Sequence, residues 1–265
     1  MAGPVTARPP ADATPEERSR WWVDVAFTAG IRRRGWLTVA LLAVCVTVHL
    51  ALGEVMASRG RNLLWAGFGS RGVRLLGRAG GLTHAALHGE PWRTVTSLFI
   101  HADALHLGLN GLALWGLGEL CEALYGPERF LWLFLLCGLG GSLVSLTGDT
   151  TVTVGASGSL FGLMGAAMVF GWRYRKVLPA DLSALLRKQL LPWVILNLGI
   201  GAVLPFVDNR AHVGGLITGS VLGLILGNRI VPGEESSLGV RIAMGVGSAA
   251  ILLWGVIGWL SSGSV

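Results

Sequence analysis

Val154-Gly155-Ala156-Ser157-Gly158-Ser159-Leu160-Phe161 sets a serine among small residues at the mouth of an apolar segment that runs on through Phe170. A hydroxyl between glycines where a hydrophobic helix begins reads either as a turn or as a nucleophile placed inside a membrane. The surrounding composition decides where the segment lies. With 52% hydrophobic and 14% charged residues over 265 positions, the chain does not carry a soluble surface. It reads as an all-α polytopic membrane protein, because a spanning helix needs about 20 apolar residues to cross a core of about 30 Å.

Working outward from this stretch, seven apolar segments qualify as spans. Residues 36–52 carry no charge and form the first. The second runs over 104–125 and stops at Gly126-Pro127, the third over 130–146, and the fourth over 157–172. Sixteen residues at 1.5 Å each give the fourth only about 24 Å, so its start with Ser157 should lie below the outer surface. The fifth, sixth and seventh are expected at 190–206, 211–228 and 242–260, with residues 173–189 between the fourth and fifth a basic cytoplasmic loop. Residues 53–100 make a long connection with six arginines and apolar clusters, which argues for a functional segment partly buried in the outer leaflet.

The chain thus divides into a tail (1–35), a six-helix core (36–229), and a linker with a seventh helix (230–265). The tail is rich in Pro, Ala and Glu, has no apolar run after its first methionine, and so carries no expected cleavable signal. Trp21 to Phe27 could lie on the membrane surface, and Arg32-Arg33-Arg34 precedes the first span. Basic residues here and at 173–189 place the N-terminus in the cytoplasm by the positive-inside rule. The net charge of +6 is spread over such loops, so nucleic acid is not an expected partner. Cys45, Cys121 and Cys137 lie in or beside apolar segments and suggest neither disulfides nor zinc.

Polar groups within spans are costly and point to function by default. His106 and Asn110 are four residues apart, on one helical face, both able to donate sideways; packing glue between helices is the plainer reading. His101 falls in the lead-in to that helix. Ala211, Gly215, Gly219, Gly223 and Gly227 make a small-residue seam on the sixth span, and Gly158, Gly162 and Ala166 another on the fourth. If the seams meet, Ser157 and His212 come together at the outer ends of their helices. A histidine base can activate a serine hydroxyl. No Asp or Glu lies in either span, so a dyad is expected, with Phe161 one turn below Ser157 packing on the imidazole. A zinc site from His101, His106 and His212 lacks carboxylate and thiolate ligands, and no metal is expected.

These residues bring out a resemblance. Gly89-Glu90-Pro91-Trp92-Arg93, then His101, His106 and Asn110, then Glu122 with Gly126, then Gly155-Ala156-Ser157-Gly158, and finally Ala211-His212 with Gly215 and Gly219 occur in an order that resembles the rhomboid intramembrane serine proteases. The resemblance covers about half the chain. It implies a rhomboid-like six-helix core plus one added C-terminal transmembrane helix, Ser157 as nucleophile, and His212 as general base. His106, Asn110 and the Ser157 backbone N–H would form an oxyanion hole. Trp92-Arg93, Glu122 and Gly126 would support the fold. Phe161 stands where many members carry tyrosine, and Val154 where glycine is frequent. No cofactor is implied. The expected function is cleavage of transmembrane-protein substrates near the outer membrane face, in a bacterial plasma membrane. Two other readings are a catalytically silent rhomboid-like protein that binds membrane helices, and a proton-conducting transporter using His101, Asp103 and His106, which lacks the repeated halves and broken helices of such proteins.

Overall fold

The computed structural model describes residues 12–15, 17, 18, 21, 35–57, 69–149 and 151–263. The arginine triplet, most of 21–27 and the apolar cluster at 63–65 lie outside the described residues. Among those described, seven helices are 14 residues or longer: α1 (Trp36–Ala57), α2 (Ala104–Tyr125), α3 (Pro127–Ser145), α4 (Ser157–Arg173), α5 (Leu190–Val203), α6 (Asn209–Ile225) and α7 (Leu238–Ser261). Their termini follow local chemistry. The Asp103 side chain accepts from the His106 N–H at the start of α2, Gly126 ends that helix at φ +83, and Pro127 opens α3. Asp208 caps α6 and Ser237 caps α7.

Among the described residues, three helices are long and apolar enough to cross a membrane on their own: Trp36–Val55, Pro127–Ser145 and Leu238–Ser261. The others are shorter or carry polar side chains such as Glu119 and Glu122, and they pack against the rest of the bundle. At the centre α3, α4 and α6 meet. A Cβ on Gly215 would strike the Gly158 carbonyl oxygen, one on Gly219 the Gly162 oxygen, and one on Gly223 would stand 3.0 Å from the Ala166 Cα. The small-residue seams of α4 and α6 therefore face each other in backbone contact. Cys137, Leu163 and Ala166 are fully buried around this contact, and all three cysteines are buried thiols.

Helix α1 runs on to Ala57, α5 ends at Val203 and α7 starts at Leu238, and two further differences from the sequence expectation bear on packing. Helix α6 ends at Ile225 and Leu226 is extended, so Gly227 leaves the seam and packs on the Glu234 carbonyl. The stretch expected as a basic loop instead holds the helix Ala180–Ala184 and a π-helical turn, Leu185–Gln189, that runs straight into α5. The reason is burial on one side. Leu182 and Leu186 pack into the core, and a Cβ on Gly171 would stand 2.6 Å from the Leu186 Cβ.

Glu122 explains how α1 is held. Its carboxylate accepts from the Leu37 N–H (3.2 Å), the Thr38 N–H (2.9 Å) and the Thr38 hydroxyl (2.9 Å), capping the N-terminus of α1 from the side of α2. Between α1 and α2 the chain builds the helix Gly69–Arg78 and a loop locked by Arg93. The guanidinium donates to the Gly77 and Gly81 carbonyls, pairs with Glu90, and lies 4.6 Å above the Trp92 ring. Helix α7 closes over this loop. Gly258 sits against Trp92, Gly255 against Val95, and Trp259 donates its indole N–H to the Ala79 carbonyl at 3.0 Å.

Candidate active site

The loop before α4 is stitched to the first connection. Leu82 and Thr153 exchange both backbone hydrogen bonds at 2.9 Å, and the Gly155 N–H donates to the Ser97 carbonyl at 2.9 Å. Gly155 then turns at φ +114, a conformation that disfavours any Cβ. The added atom would also lie 2.7 Å from His106 Nε2, so the loop passes directly over that ring. Val154 points the other way, into the small apolar cluster of Leu76 and Ile100.

Ser157 is the first residue of α4, and its N-cap is Ala156, which has no side chain to satisfy the first N–H groups of the helix. These orphan donors, with the positive end of the helix dipole, face the serine's surroundings. Across the seam, His212 lies in the first turn of α6. Its Nε2 is 2.9 Å from Ser157 Oγ, and its ring stacks on Phe161 with centroids 4.2 Å apart at 8°. The imidazole is 7% exposed, so the pair is shielded yet the serine remains partly accessible.

His106 and Asn110 approach from α2. The Ala102 N–H donates to His106 Nδ1 at 3.4 Å, which places the ring proton on Nε2, the nitrogen beneath Gly155. Asn110 is buried, donates to the His106 carbonyl at 3.0 Å, and directs its amide nitrogen toward the same glycine. The remaining sequence candidates take other places. His101 lies against His106, edge-on with ring centroids 5.2 Å apart, and is buried. Trp92 and Arg93 organise the first connection, and Gly158 leaves room for the Ala211 carbonyl at 3.4 Å. Among the described residues no three His, Cys, Asp or Glu side chains gather as a metal site.

Two residues at the head of α6 escaped the sequence reading. Asp208, besides capping the helix through the Arg210 and Ala211 N–H groups, accepts from the Ser145 and Thr153 hydroxyls, tying α3 and the loop before α4 to α6. Asn209 Oδ1 stands 3.3 Å from His212 Nδ1, while Asn209 Nδ2 donates to the Leu198 carbonyl at 2.9 Å. A carbonyl only accepts, so the amide nitrogen must face Leu198 and the oxygen must face the imidazole. That oxygen also only accepts, so Nδ1 carries the proton and the Nε2 lone pair faces Ser157. The sequence signal was present: Asn209 lies three residues before His212, where a helix brings side chains together.

Comparison with known proteins shows what the chain is similar to in sequence. The Rhomboid domain matches residues 88–229. Rhomboid protease GluP of Bacillus subtilis is 34% identical over 175 residues, covering 66% of this chain and 32% of its own length. RHOMBOID-like protein 5 of Arabidopsis thaliana is 40% identical over 144 residues, covering 52% and 45%. Rhomboid protease AarA of Providencia stuartii is 29% identical over 211 residues, covering 71% and 70%. The chain thus spans less than half the length of the first two. With more than half of its own length matched, this all-α, multi-pass membrane chain belongs to the rhomboid family.

Proposed function

We propose that the chain is an intramembrane serine endopeptidase that cleaves transmembrane-protein substrates near the outer face of a bacterial plasma membrane, with its N-terminus in the cytoplasm. The observation that carries this reading is the 2.9 Å contact between Ser157 Oγ and His212 Nε2, stacked on Phe161. In this mechanism His212 removes the hydroxyl proton as Ser157 attacks the scissile carbonyl, then passes it to the leaving amine. Water releases the acyl group in the reverse sense. The developing oxyanion is received by His106 Nε2–H, Asn110 Nδ2–H and the Ser157 N–H, where one such donor is typically worth about 3 kcal/mol of barrier. Phe161 holds the imidazole by stacking. Among the described residues the imidazole's hydrogen-bond partners are Ser157 and Asn209 and no carboxylate, which supports reading the reacting pair as a dyad.

The test is covalent labelling of the purified protein by a fluorophosphonate or isocoumarin, followed by cleavage of a transmembrane reporter in proteoliposomes. Labelling and cleavage are expected of the wild type and lost in Ser157→Ala and His212→Ala. Equal labelling of all three proteins would overturn the assignment.

A further inference from the structure

We propose that the end of the bundle opposite Ser157 carries a binding site for the phosphate of an anionic glycerophospholipid, built from Arg175, Ser183, Arg187 and Lys188. Helix α4 begins at Ser157 and ends at Arg173, so residues 174–189 lie at the far end from the dyad. With the orientation proposed above, that end meets the cytoplasmic leaflet. There the chain folds round a groove of about 390 Å³. Leu178, Pro179 and Ala184 give it apolar lining, and the buried Ser183 with the three basic side chains gives it polar lining. The shape follows from one-sided burial. Leu178, Leu182 and Leu186 anchor the stretch in the core, which leaves Arg187 and Lys188 exposed.

Other basic residues at this end are committed to protein partners. Arg129 donates to the Tyr125 carbonyl and the Ser236 hydroxyl, Arg173 pairs with Glu234 at 3.0 Å, and Arg241 pairs with Glu128 at 2.6 Å. Among the described residues, Arg175, Arg187 and Lys188 form no ion pair, and the exposed Asp181 on the same stretch pairs with none of them. Arg175 is nevertheless fixed, because it donates to the Trp172 carbonyl at 2.9 Å and lies 5.3 Å above that indole. Three like charges round one groove repel each other, and an anion between them relieves the repulsion. A phosphate suits the donors, since guanidinium groups fork onto its oxygens while an ammonium and a hydroxyl donate singly. The depth of the groove selects a lipid as the source. Trp172 near the end of α4 and Trp193 in the first turn of α5 bracket the stretch, and both are exposed, as indoles at headgroup level are. A choline headgroup would bring a cation to a basic groove, so a headgroup with net negative charge is preferred.

Native mass spectrometry of the full-length protein in detergent, titrated with phosphatidylglycerol or phosphatidylcholine, tests the site. The wild type is expected to hold one phosphatidylglycerol about tenfold more tightly than phosphatidylcholine. Arg187→Gln and Lys188→Gln should each weaken that binding about fivefold, and the double variant about twentyfold. Arg229→Gln removes a charge at the same end but outside the groove, and should stay within about twofold of wild type. Both groove side chains are exposed, so unfolding midpoints without lipid should match the wild type. Ser157→Ala should bind as the wild type does, which separates this site from the protease reading. A further arm adds glycerol 3-phosphate, expected to leave the lipid bound. Displacement at concentrations equal to the lipid would assign the groove to a soluble phosphate and overturn the lipid source. Equal binding of the two lipids, or equal losses from Arg229→Gln and Arg187→Gln, would overturn the site, because diffuse surface charge gives both results.

Discussion

At the scale of single residues, the site depends on positions that leave no room for change. Gly155 combines φ +114 with the His106 ring 2.7 Å from where a Cβ would be. Gly155→Ala must either straighten the loop or push His106 aside, and about a hundredfold loss of probe labelling is expected, with a fall in the thermal midpoint of the solubilised protein that reflects strain of about 1–3 kcal/mol. Phe161 is different in kind, because it acts by stacking at 4.2 Å and makes no hydrogen bond. Phe161→Tyr keeps the ring and should retain activity within a few-fold, whereas Phe161→Ala frees the imidazole and should lower kcat by about tenfold or more. Kinetics with one reporter substrate distinguish the two.

At the scale of elements, α7 does more than add a span. Its glycines accept Trp92 and Val95, its Trp259 holds the Ala79 carbonyl, and Arg241 pairs with Glu128 of α3 at 2.6 Å. The connection it clasps is hydrogen-bonded to the loop before Ser157 through Leu82 and Gly155. Gly258→Leu should therefore loosen residues 79–96, read as faster hydrogen exchange there, and, on the proposed function, reduce activity through the loop before Ser157. Unchanged exchange in that segment would argue against such a role. The α4 and α6 seam predicts a larger effect. Gly219→Leu sets a side chain against the Gly162 carbonyl and should cost about 3 kcal/mol or more, seen as a fall in unfolding midpoint.

At the scale of the whole molecule, stability is organised by polar ties as much as by apolar burial. Glu122 satisfies two backbone N–H groups of α1 and the Thr38 hydroxyl. Glu122→Ala leaves these buried donors unpaired, and a loss of about 1–3 kcal/mol is expected from detergent unfolding curves, with α1 the first helix to gain accessibility. Within the lipid the exposed apolar faces of α1, α5 and α7 meet acyl chains, so the same substitution should be milder in bilayers than in detergent.

Much of this was legible in the residues. Apolar segment lengths, Gly126-Pro127 and the fourfold spacing of glycines located the helices and the seam, since helical period and turn chemistry are local properties. The seam in turn made the meeting of Ser157 and His212 foreseeable. What local pattern could not reveal were partners brought from distant segments. Asp208 meets Ser145 and Thr153, Asn209 meets Leu198, and Trp92 meets Gly258, all across connections whose path is set by packing. The fifth helix starts at Leu190 as expected, but the helical pieces before it, 180–189, were read as a loop because Arg187 and Lys188 face outward while Leu182 and Leu186 are buried, and only the neighbouring Gly171 shows why. The sequence by itself determined a multi-pass helical bundle and the residue types of its site, because those follow from hydropathy, spacing and backbone preference. The tertiary structure alone decided the tautomer of His212 and the hold of α7 on the first connection, because both depend on which donor meets which acceptor across the fold.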